Sequence, residues 1–395
     1  MIKTKNIELS DVVKQFGKTL INRQSLSPQQ SKSLLNIVQC RTSVLGGHEE
    51  VCDTCGAVSY SYNSCGDRHC PKCQLNKQLT WIEKLEKEVL PIKHYHIIFT
   101  LPHSLNDICL WNDKMYYSLM FKIVWQTLRS FGYTHYGVES GAIAILHTWG
   151  QNLSLHPHIH CIVPAAGYSL QGKWKNIGKN NNKYLYPVKQ LSTTFKGKFL
   201  SGLKRELIKQ NNPNGFDKHI QQAYATDWVV YSEAPMSGTK QIIRYLGQYT
   251  HRIAISNDRI LHITNDDVVF QAKDYRDNAT IKTTRLKGVE FLRRFVQHIL
   301  PKGFVRIRRY GIYHHTVKRN LNLQFTVEDS GSYKLLTKEN IANQKDSNGI
   351  FCKKKVQKVK VCPYCKKGKM IVRRSLPRIR SPAAHLPTVL KSLLQ

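Results

Sequence analysis

Apolar positions along the chain switch between helical spacing and strand-like alternation, and the switches outline its elements. Residues 1–39 are polar with helically spaced apolar positions. "SPQQSKSLLNIVQC" opens on a Ser-Pro cap, so one or two helices are predicted there. "AVSYSYNS" (57–64) alternates as a short strand, and "LNKQLTWIEKLEKEVL" (75–90) is an amphipathic helix closed by Pro91. "HYHIIFTL" (94–101) is a strand by its Ile, Phe and Tyr content, and 113–131 is helical. "AIAILHTWG" and "HIHCIV" predict an antiparallel pair joined by "QNLSLHP". A Gly/Asn/Lys-rich loop, a helix near 191–210 and a strand "WVVYSE" follow. "SGTKQIIRYLGQYTHR" reads as a capped helix, and "RILHIT", "DVVFQAKDY" and "TIKTTRL" as a strand meander. "VEFLRRFVQHIL" is a helix ended by Pro301, and the Lys/Arg-rich stretch from about 345 packs poorly apart from its "CPYC". The resulting organisation is a helical segment (1–39), a Cys/His-rich module with its linking helix (40–90), a main domain (91–300) and a basic C-terminal region (301–395).

Charge changes this picture most. Sixty Lys plus Arg against 26 Asp plus Glu give a formal charge of +34 on 395 residues, which calls for a polyanionic partner. No stretch approaches eighteen apolar residues and no long basic amphipathic helix is present, so nucleic acid is favoured over a membrane surface. The start "MIKTKNIELSDVVKQF" lacks an apolar signal core, and a cytoplasmic setting is expected. No phosphate-binding G-x-x-x-x-G-K-[ST] loop occurs, which argues against a nucleotide-driven motor.

The cysteines point to metal. Of eleven, six fall between residues 40 and 73. Cys52 and Cys55 form one C-x2-C and Cys70 and Cys73 a second, and two such pairs make a tetrahedral zinc site. Cys40, His48, Cys65 and His69 suffice for a second zinc, or are incidental neighbours of the first. Either way zinc is expected to be structural, holding together a module with too thin a core. "CPYCKKGKM" (362–370) lacks a second ligand pair. Cys352 and His385 could complete it, and an unmetallated knuckle is an equal alternative.

"LHPHIHCIV" (155–163) sets histidines at alternate positions of a strand, so His156, His158 and His160 share one face while Ile159, Cys161 and Val163 take the other. Two imidazoles at i and i+2 can close on one divalent metal; hydrogen-bonded packing histidines are the plainer reading. His156, next to Pro157, ranks below the other two.

The "HIH" strand, the upstream Phe99-Thr100-Leu101 and the downstream "RYLGQYTHR" resemble the signature of HUH endonucleases. More closely, "LGGHEEVCDTCG", "NSCGDRHCPKCQ", "HTWGQNLSLHPHIHCIVPAAG", "YLGQYTHRIAIS" and "FLRRFVQHILPKGFVRIRRYG" resemble the rolling-circle, HUH-type tyrosine transposases of the IS91 insertion-sequence family. The likeness covers most of the chain and is least over 330–395.

That resemblance implies an α+β fold: a central antiparallel HUH-type sheet of about five strands flanked by helices, with an N-terminal zinc-binding module. It implies a transposase cleaving single-stranded DNA through Tyr245 and Tyr249, one or both acting, with Mg²⁺ or Mn²⁺ on His158 and His160. Gln151 is the expected third ligand, with His147 and Gln248 as rivals and a turn or core glutamine as the plainer reading. Arg244 and Arg252 flank the tyrosines and could clamp the phosphate, with solvated helix charges an equal alternative. The expected cofactors also include one or two structural Zn²⁺ ions. The expected partner is DNA, chiefly single-stranded transposon ends and target, with self-association left open. A plasmid replication initiator or relaxase, and a non-catalytic zinc-containing DNA-binding protein, are the alternatives.

Overall fold

Helices α1 (Leu9–Arg23) and α2 (Pro28–Gln39) open the chain in a computed structural model that describes residues 7–74, 82, 89–90, 92–178, 184–233, 247, 253–274, 277–317, 325–327, 333–335 and 360–379. Ser27 caps α2: its hydroxyl accepts from Gln30 N at 3.2 Å, and the Gln30 side chain accepts from Ser27 N at 2.9 Å. This reciprocal pair satisfies N–H groups that a helix start otherwise leaves without partners. Ser27→Ala should therefore cost about 1 kcal/mol, read as a lowered urea midpoint.

Strands β1 (Gly47–Cys52) and β2 (Val58–Tyr62) form a hairpin, followed by β3 (His94–Thr100), a short helix α3 (Asn106–Trp111) and the long α4 (Asp113–Tyr136). Next come β4 (Val138–Glu139), β5 (Gly141–Trp149), β6 (Leu155–Pro164), β7 (Ala166–Ser169) and β8 (Trp174–Asn176). Helices α5 (Val188–Lys209) and α6 (Asp217–Ala225) lead to β9 (Val230–Ser232). The meander β10 (Ile260–Ile263), β11 (Asp267–Asp274) and β12 (Thr280–Lys287) runs into α7 (Gly288–Gln297). Strands β13 (Ile307–Gly311), β14 (Phe325–Val327), β15 (Tyr333–Leu335) and β16 (Met370–Leu376) complete the series.

The central sheet is antiparallel, in the order β13-β5-β6-β3-β9, so the histidine strand β6 is its middle member. Alternation divides its two faces. Ile159, Cys161 and Val163 join Ala142, Ala144, Leu146, Tyr95, Ile97 and Phe99 in the main core, against α4 and α5 with their buried Tyr116, Phe121, Phe195 and Phe199. On the opposite face Ile143, Ile145 and Ile162 pack with Val89, Leu90, Ile312 and Tyr313. The alternating histidines continue that second face toward the β5–β6 turn.

The fold is α+β, as the sequence implied. Its packing does not follow the boundaries at 39, 90 and 300. Leu9, Val12, Phe16 and Leu34 share one core with Cys40, Cys70, Cys73, Phe270, Phe291 and Phe295. Two short N-terminal helices are marginal alone and bury their apolar faces against α7 and the meander. Residues 307–311 form an edge strand of the central sheet, and 370–376 pair with β1, although both lie in the stretch read as a basic C-terminal region. Apart from residues 82, 89 and 90, the helix expected over 75–90 lies outside the described residues, and so does the tyrosine-bearing helix apart from Gly247. Among the described residues no helix is long and apolar enough to cross a membrane.

Candidate functional site

The antiparallel register builds the site. It sets His147 of β5 directly opposite His158 of β6, and His160 opposite Ile145, so His147, His158 and His160 share a face. One ligand nitrogen from each lies within 4.8 Å of the others. Ring centroids are 4.6 Å apart for His147–His160, 5.0 Å for His158–His160 and 5.4 Å for His147–His158. His147 and His160 are buried and His158 is half-buried.

Each imidazole has two nitrogens, and the second one orients the ring. His158 Nδ1 donates to the His156 carbonyl at 2.7 Å. His160 Nδ1 lies 2.9 Å from His96 Nε2, and His96 Nδ1 lies 2.9 Å from Glu233 Oε2. The His96 and His160 rings are stacked with an interplanar angle of 3°. With both Nδ1 atoms engaged, Nε2 is the nitrogen that His158 and His160 can each turn toward a shared ion. A carboxylate or carbonyl behind a ligating imidazole is the usual support for a metal site, since it fixes tautomer and orientation.

The structure thus brings His158 and His160 together and adds His147, the rival to Gln151. Gln151 lies in the β5–β6 turn, where its carbonyl accepts from Arg259 Nη2 at 2.5 Å. It lines an open cleft with Asn152, His156, Lys273, Asp274 and Lys282. His156 faces this cleft and stacks on His103 at 5.3 Å; burial, then the His103 charge, pushes its pKa below the ordinary imidazole value. Tyr245, Tyr249, Arg244, Arg252 and Gln248 lie outside the described residues. Sequence reasoning missed His96 and Glu233. His96 stood in view as the alternating "HYH" of β3, whereas Glu233 follows β9 and meets His96 only through sheet pairing.

The cysteines regroup. Cys40, Cys65, Cys70 and Cys73 form one cluster, and Cys52, Cys55, Cys362 and Cys365 another. Cys52 and Cys55 are therefore not brought to Cys70 and Cys73 as the two C-x2-C spacings suggested. The β1–β2 hairpin explains the correction. At its base Arg41 N donates to Asn63 O at 3.1 Å, which draws Cys40 toward Cys65, while Cys52 and Cys55 ride at the tip. A strand of that length spans roughly 20 Å. His48 and His69, expected to complete a second site, join neither cluster. His48 sits near the start of β1, opposite Ser61 and Ser375 and at the far end of the strand from Cys52. Both nitrogens of His69 are occupied: Nδ1 lies 3.1 Å from Asp67 Oδ1, and Nε2 accepts from Leu300 N at 3.2 Å. Burial would raise the Asp67 carboxyl, but hydrogen bonds from His69 and Asn36 overcome it and hold Asp67 below the usual carboxylate range.

In the first cluster Cys73 Sγ lies 3.5 Å from both Cys40 Sγ and Cys65 Sγ. Hydrogen bonds from Cys65 and Cys70 pull the Cys40 thiol down, and the bond to Cys40 pushes Cys65 up. The four sulfurs share negative charge poorly by themselves. A divalent cation lets all four be thiolates, which is the chemistry of a structural zinc site.

Residues 12–101 match a family described as transposase zinc-binding domain, and residues 141–320 match one described as "Putative transposase". The chain is 35% identical over 378 residues to "Putative transposase y4qJ" of Sinorhizobium fredii, covering 92% of this chain and 94% of that relative. It is 27% identical over 306 residues to the transposase for insertion sequence element IS801 of Pseudomonas savastanoi pv. phaseolicola, covering 74% and 72%. No solved structure matches the chain.

Proposed function

Because the chain belongs to the IS91 family of transposases, we propose that it cleaves and rejoins single-stranded DNA at transposon ends through a 5′-phosphotyrosine intermediate, with a divalent metal and without ATP. The observation that carries this reading is the convergence of His147, His158 and His160 on one face in mid-sheet. Three imidazoles form an all-nitrogen donor set, which suits Mn²⁺ better than Mg²⁺, while Mg²⁺ is the more available ion. Held there, the ion would polarise the scissile phosphodiester and orient it for in-line attack.

The remaining work falls to side chains. Tyr245 and Tyr249 stand four residues apart, the spacing of one helical face, and are the proposed nucleophiles. A phenol oxygen forms a bond to phosphorus as the bond to the 3′-oxygen breaks, and the phenol proton ends on the released 3′-hydroxyl. The phosphodiester is conserved as a tyrosyl ester, so rejoining is the same exchange reversed and needs no nucleotide. Two tyrosines let one hold a strand while the other cuts a second. Arg244 and Arg252 flank them and suit bidentate contacts to the phosphate, and Gln151 adds a polar group to the cleft that His156 lines. A groove along β13, lined by Arg308, Arg309, Tyr310 and His314, offers charge and ring faces to unpaired bases.

Behind His160, His96 and Glu233 are positioning residues. If His160 Nε2 faces the ion, His160 Nδ1 donates to His96 Nε2 and His96 Nδ1 donates to Glu233. Glu233→Gln and His96→Ala should each weaken Mn²⁺ binding by about 10–100-fold, measured by electron paramagnetic resonance on the protein without DNA. A role in packing alone would lower the melting temperature and leave that affinity unchanged.

The function itself is tested with a labelled single-stranded oligonucleotide carrying the element's own end. Metal-dependent nicking that leaves a free 3′-hydroxyl and a protein-linked 5′ side supports the proposal. Equal binding with no nicking under any divalent ion overturns it in favour of a DNA-binding role without cleavage.

A further inference from the structure

The second cysteine cluster draws half its sulfurs from far outside the N-terminal module, and we propose that Cys52, Cys55, Cys362 and Cys365 hold a second zinc ion that clamps the C-terminal knuckle onto that module. The sulfur spacing fits: Cys52 Sγ to Cys365 Sγ is 3.7 Å, and Cys55 Sγ to Cys362 Sγ is 3.8 Å. Four sulfurs at about 2.3 Å from a tetrahedral zinc stand roughly 3.8 Å from one another. A disulfide would need about 2.05 Å.

The backbone is built for the same end. Each C-x2-C is a tight turn closed from its first cysteine: Gly56 N donates to Cys52 O at 3.1 Å, and Lys366 N donates to Cys362 O at 3.0 Å. The residue after each pair has positive φ, +68° at Gly56 and +57° at Lys366. Amide groups aim at the sulfurs, with Cys55 N 3.5 Å from Cys52 Sγ and Gly368 N 3.3 Å from Cys365 Sγ. Such N–H donors stabilise thiolate, the form that binds zinc.

The two turns also interlock. Asp53 N donates to Lys369 O at 3.1 Å, and Lys369 N donates to Asp53 Oδ1 at 2.8 Å. A side chain at Gly368 would place its first carbon 2.4 Å from Cys52 Sγ, so only glycine admits this approach. Strand β16 then pairs with β1 from Cys52↔Met370 to Gly47↔Leu376, and Arg374 Nη2 meets Glu49 at 2.7 Å. The pairs joined across the cluster are 307 and 313 residues apart in sequence. Closing so long a loop is entropically unfavourable, and a single exposed three-stranded sheet is a weak anchor for it. An ion bonded to both knuckles supplies the missing link. This assignment is independent of the proposed cleavage chemistry.

The test counts zinc by mass spectrometry in the full chain and maps cysteine alkylation before and after chelation. The expected result is two zinc ions per chain, with Cys52, Cys55, Cys362 and Cys365 protected together and released together by chelator. Cys362→Ser with Cys365→Ser should retain one zinc, keep Cys40, Cys65, Cys70 and Cys73 protected, and expose the 360–379 segment to protease. One zinc in the unaltered chain would overturn the proposal. So would alkylation of Cys362 and Cys365 as fast in the native protein as in denaturant. If the double variant precipitates, the map on the unaltered chain decides alone.

Discussion

Alanine at His160 is expected to lower metal-dependent cleavage of single-stranded DNA by at least about 10³-fold, while His156→Ala changes it less than about threefold. The first figure follows from a bound cation contributing several kcal/mol at the reacting phosphate, with each 1.36 kcal/mol worth tenfold. His160 is 5% exposed and sits between His96 and the other two imidazoles. Truncating it removes one of three nitrogens and strands the His96–Glu233 pair behind it. His156 provides the control because it shares the strand face and faces the neighbouring cleft. Its hydrogen bond to His158 comes from the backbone carbonyl, which alanine preserves. His147→Ala and His158→Ala should behave like His160→Ala. The measurements are single-turnover cleavage rates and Mn²⁺ affinity on the same preparations, with circular dichroism to show that each variant folds. A His160→Ala protein cleaving within tenfold of normal would remove the histidines from the chemistry.

Loss of the zinc held by Cys40, Cys65, Cys70 and Cys73 is expected to unfold far more than the module. Structural zinc contributes apparent free energies of about 10–16 kcal/mol, comparable to the 5–15 kcal/mol that separates a folded domain from its unfolded chain. Cys40, Cys70 and Cys73 share a core with α1, α2, Phe291 and Phe295. Helix α7 and the residues after it in turn hold the β5–β6 turn: Arg294 donates to Asn152 O at 3.2 Å, and His298 Nε2 lies 3.1 Å from Leu153 O. Disorder at the sulfurs therefore reaches the turn beside His147 and His158. Cys73→Ser or a strong zinc chelator should lower the melting temperature by more than about 10 °C, at roughly 2–4 °C per kcal/mol for a unit of this size. Cleavage should be lost in parallel. Calorimetry with and without chelator reads this directly, and an unchanged melting temperature after complete zinc removal would contradict it.

What the sequence disclosed and what it withheld divide on physical lines. The histidine face was legible because a strand has period two, and "HIHCIV" announces both faces at once: histidines on one, Ile159, Cys161 and Val163 in the core on the other. Helix α2 was legible because its cap is local, written in Ser27, Pro28 and Gln30. The cysteines disclosed their chemistry but not their partners. Two C-x2-C pairs eighteen residues apart look like one site until a hairpin is placed between them, carrying Cys52 and Cys55 to its tip. His147 could be preferred over Gln151 only once the β5–β6 register was known, since one residue of slip turns that side chain to the opposite face. Glu233 behind His96, and Cys362 and Cys365 beside Cys52 and Cys55, depend on pairings between distant segments that no local pattern encodes. The likeness to IS91 transposases was the most informative reading, because it rested on several long strings in a fixed order.

The most direct test of the central claim is covalent capture. The full chain is incubated with single-stranded DNA bearing the element's own ends and Mn²⁺, denatured and digested, and its peptides are searched by mass spectrometry for attached nucleotide. The account predicts an adduct on Tyr245 or Tyr249 that disappears with EDTA and in the His160→Ala protein. Nicked DNA with no tyrosine-linked nucleotide, or an adduct that persists without metal, would contradict it.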